Sequence, residues 1–305
     1  MKKLILLFSF SLLSAELSDH LKKAEGKSSV FKAGNIDFIY MINLDRRPDR
    51  YLKSCNALVS YGIIPYRFSA VDGHELSLET LNDVGLQYEV GMTSLFSTSY
   101  PFEASGQESH SFMNEYGKTY FSHFIRKGGI ACYLSHLSVL QDAYESGYET
   151  IWVLEDDIDV IQDPSLIFSL INKLDDLIGK NNWDVLFTDQ DFINKKGEYV
   201  CAYGMKKRPD MDCSFEECYS EKYTFREKIS SDFQKISARF GTHSMIIRRS
   251  GVEKLLKFYL EHKIYLPYDM ENYLVPNLHR YALCYDVVTN LRESISDIAL
   301  VPTED

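Results

Sequence analysis

An α/β fold is predicted for this chain by two observations: short apolar runs that end in polar corners alternate with amphipathic helical patterns, and 305 residues at 45% apolar content supply the core such layers need. The first polar stretch, residues 16 to 34, is Lys- and Ser-rich and reads as a linker, so the folded region is predicted over residues 35–299 with a tail at 300–305. Phe38 to Leu44 reads as a buried strand. A helical pattern through Tyr61 follows, with Asp45 as its cap and Pro48 in its first turn. Tyr66 to Val71 is a second strand closed by the turn Asp72-Gly73. Residues 88 to 126 are polar and aromatic without a clear period, the first of two long excursions over the sheet.

Gly128-Gly129 opens a helix over Ile130 to Tyr144 whose Ile130, Leu134, Leu137 and Leu140 share a face, and Gly147 closes it. The strand Thr150-Ile151-Trp152-Val153-Leu154 comes next. Pro164 to Leu177 reads as amphipathic helix and Trp183 to Thr188 as strand. Residues 190 to 232 form the second polar excursion. Ser244 to Arg248 is strand, Gly251 to His262 helix, and Leu283 to Val288 a last apolar run. Strands alternating with helices predict one domain with a mixed, mostly parallel sheet.

The net charge of -11 and pI near 5.3 argue against a nucleic-acid binder, which needs a basic face for phosphates. Lys2 and Lys3, the apolar run Leu4 to Leu13, and Ser14-Ala15 have the order of a secretory signal, predicting a signal peptide over residues 1–15 and export. Leu13 stands where a small residue is usual before a cut, so an uncleaved N-terminal membrane anchor is the other reading, and membrane association is expected through no other segment. Cys55, Cys132, Cys201, Cys213, Cys218 and Cys284 are compatible with disulfides in an oxidising compartment. Cys132, on a helical pattern, reads as a buried thiol, and no Cys/His spacing resembles a zinc site.

The strand at 150–154 runs straight into Glu155-Asp156-Asp157. Like charges crowded at a strand tip repel unless a cation sits among them. Strand alternation would set Glu155 and Asp157 on one side and Asp156 on the other, a two-oxygen claw for a hard divalent ion at the sheet's carboxyl end. A solvated strand-to-loop corner is the alternative without a metal.

Three ordered blocks carry a family resemblance: Ile42-Asn43-Leu44-Asp45-Arg46-Arg47-Pro48-Asp49-Arg50, Gly129-Ile130-Ala131-Cys132-Tyr133-Leu134-Ser135-His136, and Leu154-Glu155-Asp156-Asp157. Weaker support comes from Gly241-Thr242-His243-Ser244-Met245-Ile246-Ile247 and the closing Ser296-Asp297-Ile298. The chain resembles glycosyltransferase family 25, the family of lipopolysaccharide glycosyltransferases and procollagen galactosyltransferases, over roughly residues 36 to 298. The resemblance implies a GT-A type, Rossmann-like domain binding a nucleotide sugar, with UDP-galactose or UDP-glucose as donor and Mn²⁺ (or Mg²⁺) as metal. It also implies inverting transfer to a hydroxyl of a glycan, lipopolysaccharide or hydroxylated protein. Because nucleotide sugars are kept in the cytoplasm of bacteria, export and this activity pull against each other there.

Within that resemblance Asp157 and Glu155 are the expected metal ligands, with Asp297 or else His243 completing the shell and Asp156 turned toward the ribose or held behind the ligands. Asp269, in Pro267-Tyr268-Asp269, is the expected base for the acceptor hydroxyl, or else a helix N-cap. Arg46 and Arg50 are candidates for the donor phosphates, against the reading of simple surface ion pairs. Asn43 and Asp72, at strand ends, are placed to touch the nucleoside, though turn formation also explains them. Ser135 and His136 are expected along the donor sugar, or as satisfied core residues. A catalytically silent, secreted carbohydrate-binding relative is the competing function. A two-metal phosphodiesterase is disfavoured by the His spacing.

Overall fold

A computed structural model of the protein describes residues 15–102, 107–190, 207–211 and 225–291. The expected signal peptide (apart from Ala15), Asp297, Cys201, Cys213 and Cys218 lie outside the described residues. After a short helix at Ala15–Ser18, the strands and α-helices in chain order are β1 (Phe38–Asn43), α1 (Pro48–Val59), β2 (Tyr66–Ser69), α2 (Leu78–Val84), β3 (Leu86–Gln87), β4 (Phe96–Ser99), β5 (Ser109–Phe112), β6 (Thr119–Ser122) and α3 (Lys127–Glu145). Then come β7 (Thr150–Glu155), β8 (Ile158–Val160), α4 (Leu166–Ile178), β9 (Val185–Phe187), β10 (Arg226–Lys228), β11 (Phe233–Ile236), β12 (Ser244–Arg248), α5 (Arg249–His262), α6 (Tyr268–Glu271), β13 (Arg280–Leu283) and β14 (Val288–Asn290).

Eight strands form the central sheet in the order β10-β11-β13-β9-β12-β7-β1-β2. Period-two alternation divides its side chains between two cores. Phe38, Tyr40, Ile42, Ile151 and Val153 face one side, with Leu134 and Leu137 of α3 and Leu255 of α5. Ile39, Met41, Trp152 and Leu154 face the other, with Leu58 of α1 and Ile167, Leu170, Ile171 and Leu174 of α4. Helices therefore cover both faces, and β1, buried at all six positions, reads as a continuous apolar run for that reason.

The sheet is mixed, as expected, and six of its eight strands run one way; that β11 and β12 are reversed was not visible in the sequence. β2, β1 and β7 are parallel to one another, as are β9 and β13. β12 runs antiparallel between β7 and β9, β11 pairs antiparallel with β13, and β10 with β11. A strand covered on both faces is apolar throughout whichever way it runs, so its sequence carries no direction.

The stretch from 88 to 126 departs from expectation. Three of its segments fold with Leu86–Gln87 into an antiparallel sheet of order β3-β6-β4-β5. Its strands are rich in Ser, Thr and His, and β5 alternates between half-buried and exposed, so no apolar run marks them. Leu86, Met113 and Tyr120 pack this sheet against Tyr265, Leu266 and Met270. Asp45 does not cap α1; Arg47 precedes the helix, and Asp45 accepts hydrogen bonds from Arg67 and Ser69 instead. Cys55, Cys132 and Cys284 are free thiols. Among the described residues no helix is long and apolar enough to cross a membrane.

Within the second excursion, residues 225–232 join the sheet through β10, while residues 207–211 are held by one buried cation. Arg208, fully buried, donates to the carboxylates of Glu271 and Asp210 and to the carbonyls of His262 and Lys263. Glu271, equally buried, also accepts from the Tyr133 hydroxyl and from the N–H groups of Tyr265 and Leu266. Removing one side of a buried ion pair strands the other charge. Arg208→Ala is expected to lower unfolding stability by about 3–5 kcal/mol, read as a fall in the urea midpoint.

Candidate active site

The parallel strands β2, β1 and β7 set the site, because their carboxyl ends open at the point where the chain leaves one side of β1 for the other. A cleft of about 410 Å³ lies there. Ile42 and Leu44 from the end of β1, Ala70 to His74 after β2, the first turns of α3 and Glu155-Asp156-Asp157 line it. Arg46, Arg126 and Lys127 give the lining a basic side, with Arg126 paired at 3.2 Å to Glu108, which also lines the cleft. Helix α3 starts at that basic side, and Arg126, which precedes it, makes no side-chain capping bond. Its first-turn N–H groups therefore add partial positive charge where Gly128 lines the wall. A Cβ on Gly73 would come within 2.7 Å of the Gly128 nitrogen, so two bare backbones abut here.

The strand geometry predicted for the acidic triplet does not hold. β7 ends at Glu155, and the chain turns at Asp156 and Asp157, so alternation no longer governs where they point. Glu155 Oε1 lies 3.2 Å from His136 Nε2 and accepts from the Thr242 hydroxyl at 2.9 Å. Asp156 and Asp157 instead share Arg50, whose Nε is 3.1 Å from Asp156 Oδ1 and whose Nη2 is 2.8 Å from Asp157 Oδ2. The cation that the crowded carboxylates require is thus, in this structure, an arginine of α1.

Asn43 is buried and does not line the cleft. Its Nδ2 donates to Asp156 Oδ2 and to the Arg47 carbonyl, and its Oδ1 accepts from Arg67. It orients Asp156, which corrects the expectation that it touches the nucleoside. Ser135 reaches the cleft wall, but its hydroxyl donates to the Ala131 carbonyl and accepts from Val71 N–H, tying α3 to the exit of β2. Arg46 and Asp72 both line the cleft and pair with each other at 2.8 Å. His136 is buried against the flat of Tyr268, with ring centroids 4.4 Å apart.

Asp269 lies off the main cleft, in a small adjoining pocket with Arg239, Tyr273 and Arg280. Its carboxylate accepts from the N–H groups of Gly241 and Met270 at 3.0 and 2.9 Å, and Gly241 is followed by the Thr242 that holds Glu155. Asp269 is thus not the N-cap of α6, which is Pro267; it stands in that helix's first turn with its oxygens turned to backbone N–H groups. Burial raises its pKa, the charge of Glu155 adds to this, and the two backbone N–H groups oppose it. His243, weighed as a further ligand, points away to buried Asp189 at 2.9 Å.

A family model described as Glycosyltransferase family 25 (LPS biosynthesis protein) matches residues 36–271. The chain belongs to glycosyltransferase family 25. Among similar proteins, a "Glycosyltransferase 25 family member" of Aedes aegypti is 30% identical over 56% of this chain and 24% of its own length. A Drosophila melanogaster protein of the same description is 31% identical over 46% of this chain and 18% of its own. An "Inactive glycosyltransferase 25 family member 3" of Mus musculus is 25% identical over 59% of this chain and 26% of its own. The chain thus spans about a quarter or less of the length of these family 25 relatives.

In this family 25 chain, burial pushes the Asp156 carboxyl up to about 6; Asn43 and Arg50 pull it down, while Asp157 and Glu155 add to the rise. Burial also works against ionised Glu155, yet His136, His243 and Thr242 outweigh it and hold that carboxyl below its usual range. Cys132, Thr242, Arg126 and Lys127 were not singled out from the sequence as site residues. Only Cys132 carried a readable signal, four residues before His136 and hence on the same side of a helix. For Asp156 the folded pKa lies above the unfolded one, so ionising it costs folding free energy that appears as pH rises from about 4 to about 6. Asp156→Asn lacks that cost. Relative to wild type, its unfolding free energy should therefore improve between pH 4 and pH 7 by up to ~3 kcal/mol, followed by urea titrations across that range.

Proposed function

We propose that this family 25 chain transfers a hexose, galactose or glucose, from a UDP-sugar to a hydroxyl of a glycan, lipopolysaccharide or hydroxylated protein, with inversion. The observation that carries this is the pairing in one cleft of a basic wall, made by Arg46, Arg126, Lys127 and the start of α3, with the Glu155-Asp156-Asp157 corner. A diphosphate suits the wall, since arginines and exposed helix N–H groups bind phosphate oxygens. Asp72, beside that wall, suits a ribose hydroxyl.

Mn²⁺ or Mg²⁺ fits the donor chemistry at the corner, because Asp156 and Asp157 offer hard carboxylate oxygens where a cationic group, Arg50, already sits. In this reading Asp157 and Asp156 hold the ion and Asp297 remains the candidate third ligand. Bound there, the metal neutralises charge on the departing diphosphate. Asp269 takes the acceptor hydroxyl's proton, and its raised pKa makes it a better base than an ordinary surface carboxylate. Asn43 holds Asp156, and Arg50 steadies both aspartates until donor and metal arrive.

A silent, sugar-binding relative is the second reading. Arg50 already neutralises the two aspartates, and the mouse relative is described as inactive. A thermal-shift screen of UDP-sugars with and without Mn²⁺ reports binding for either reading, about 2.7 kcal/mol of stabilisation at a hundredfold excess over Kd. Release of UDP during incubation with donor separates them. For the enzyme, Asp157→Ala should abolish Mn²⁺-dependent turnover while the unfolding transition persists. Asp269→Asn should lower kcat by roughly 10²–10⁴. Turnover in Asp157→Ala equal to wild type would remove that aspartate's role.

A further inference from the structure

Cys132, His136 and Glu155 form a second group in the same cleft, separate from the Asp156–Asp157 pair on Arg50. The Cys132 sulfur, a ring nitrogen of His136 and a carboxylate oxygen of Glu155 all lie within 4.8 Å of one another. Cys132 and His136 are one turn apart on α3, and Glu155 ends the neighbouring β7. A tetrahedral zinc with ligand bonds of about 2.0–2.3 Å needs ligand atoms roughly 3.5 Å apart, which small side-chain rotations reach from here. We propose that Cys132, His136 and Glu155 bind one Zn²⁺ ion, with the fourth coordination position open to the cleft.

Four features of the surroundings support the site. All three residues line the cleft, so an ion has an entry path and an open side. Three protein ligands with one open position is the arrangement of reactive rather than purely structural zinc sites. Tyr268 stacked on His136, and Thr242 donating to Glu155, fix the orientation of two ligands from behind. A sulfur, a nitrogen and an oxygen donor together select a borderline-soft ion, whereas Mn²⁺ and Mg²⁺ prefer the all-oxygen corner next door.

The neighbouring charges account for how the site behaves without metal. Burial, and the carboxylates of Glu155, Asp269, Asp157 and Asp156, hold Cys132 firmly as the neutral thiol. Without metal, His136 Nε2 and Glu155 Oε1 meet in a hydrogen bond at 3.2 Å. Zinc binding therefore expels the thiol proton and breaks that hydrogen bond, and the same negative field that suppresses the bare thiolate attracts the dication. Affinity should rise with pH. Nothing in this requires sugar transfer, so the site can be tested whether or not the chain turns over a donor.

The full chain, stripped with a chelator and kept reduced, is titrated with Co²⁺ and then Zn²⁺. The expected result is one equivalent of Co²⁺ giving a thiolate-to-metal charge-transfer band in the near ultraviolet, bleached by Zn²⁺. Cys132→Ser, close in shape, should lose the band, and Glu155→Gln should weaken Co²⁺ binding at least tenfold, with circular dichroism confirming that both variants fold. Alkylation followed by peptide mass mapping gives a second readout on the unmodified protein: Zn²⁺ should slow labelling of Cys132 but not of Cys55 or Cys284. No charge-transfer band in the wild type, a band that survives in Cys132→Ser, or Cys132 labelling indifferent to Zn²⁺ would each overturn the assignment.

Discussion

Repulsion among three consecutive carboxylates at the end of β7 is the constraint around which the cleft is built. They are held from several parts of the fold, with Arg50 shared by the two aspartates. Glu155 leans on His136 of α3 and on Thr242 just before β12; Asp156 on Asn43 of β1 and Arg50 of α1; Asp157 on Arg50. Two neighbouring strands, helices from opposite faces of the sheet and the approach to β12 thus meet at one corner. Because each partner is fixed by its own element, the negative charge is positioned before any ligand comes.

This division of labour also explains why neighbouring residues face different chemistry. The chain turns immediately after Glu155, so the first carboxylate stays with strand geometry and points toward α3, while the next two swing toward α1. One side of the corner offers sulfur, nitrogen and oxygen; the other offers only oxygens. Two cations of unlike hardness can be told apart within a few residues by that difference alone.

Much of the frame was legible in the sequence. The apolar runs at β1, β7 and β12 and the periodic stretches of α1, α3, α4 and α5 were all visible, because two-sided burial and helix packing impose clear patterns. Strand direction was not, since β12 is equally apolar running either way. The small sheet of β3 to β6 hid behind Ser, Thr and His, and its few apolar anchors, Leu86, Met113 and Tyr120, pack on α6 and the residues before it rather than forming a local pattern. Among site residues, the acidic triplet, Arg50 and His136 were readable as chemistry, but their pairings were not. Asn43 looked like a ligand-facing strand end and is instead buried behind Asp156, because Arg67 and the Arg47 carbonyl saturate it.

The meeting of Gly73 and Gly128 bears on how the cleft discriminates by size. With no side chain between the two main chains, the spacing of that wall is set by backbone contact, and no rotamer change can widen it. Any breathing needed to admit a bulkier ligand must come from other parts of the lining, where Leu44, Arg46 and Arg50 carry long, adjustable side chains. The glycine contact acts as a fixed gauge and those side chains as the moving jaw.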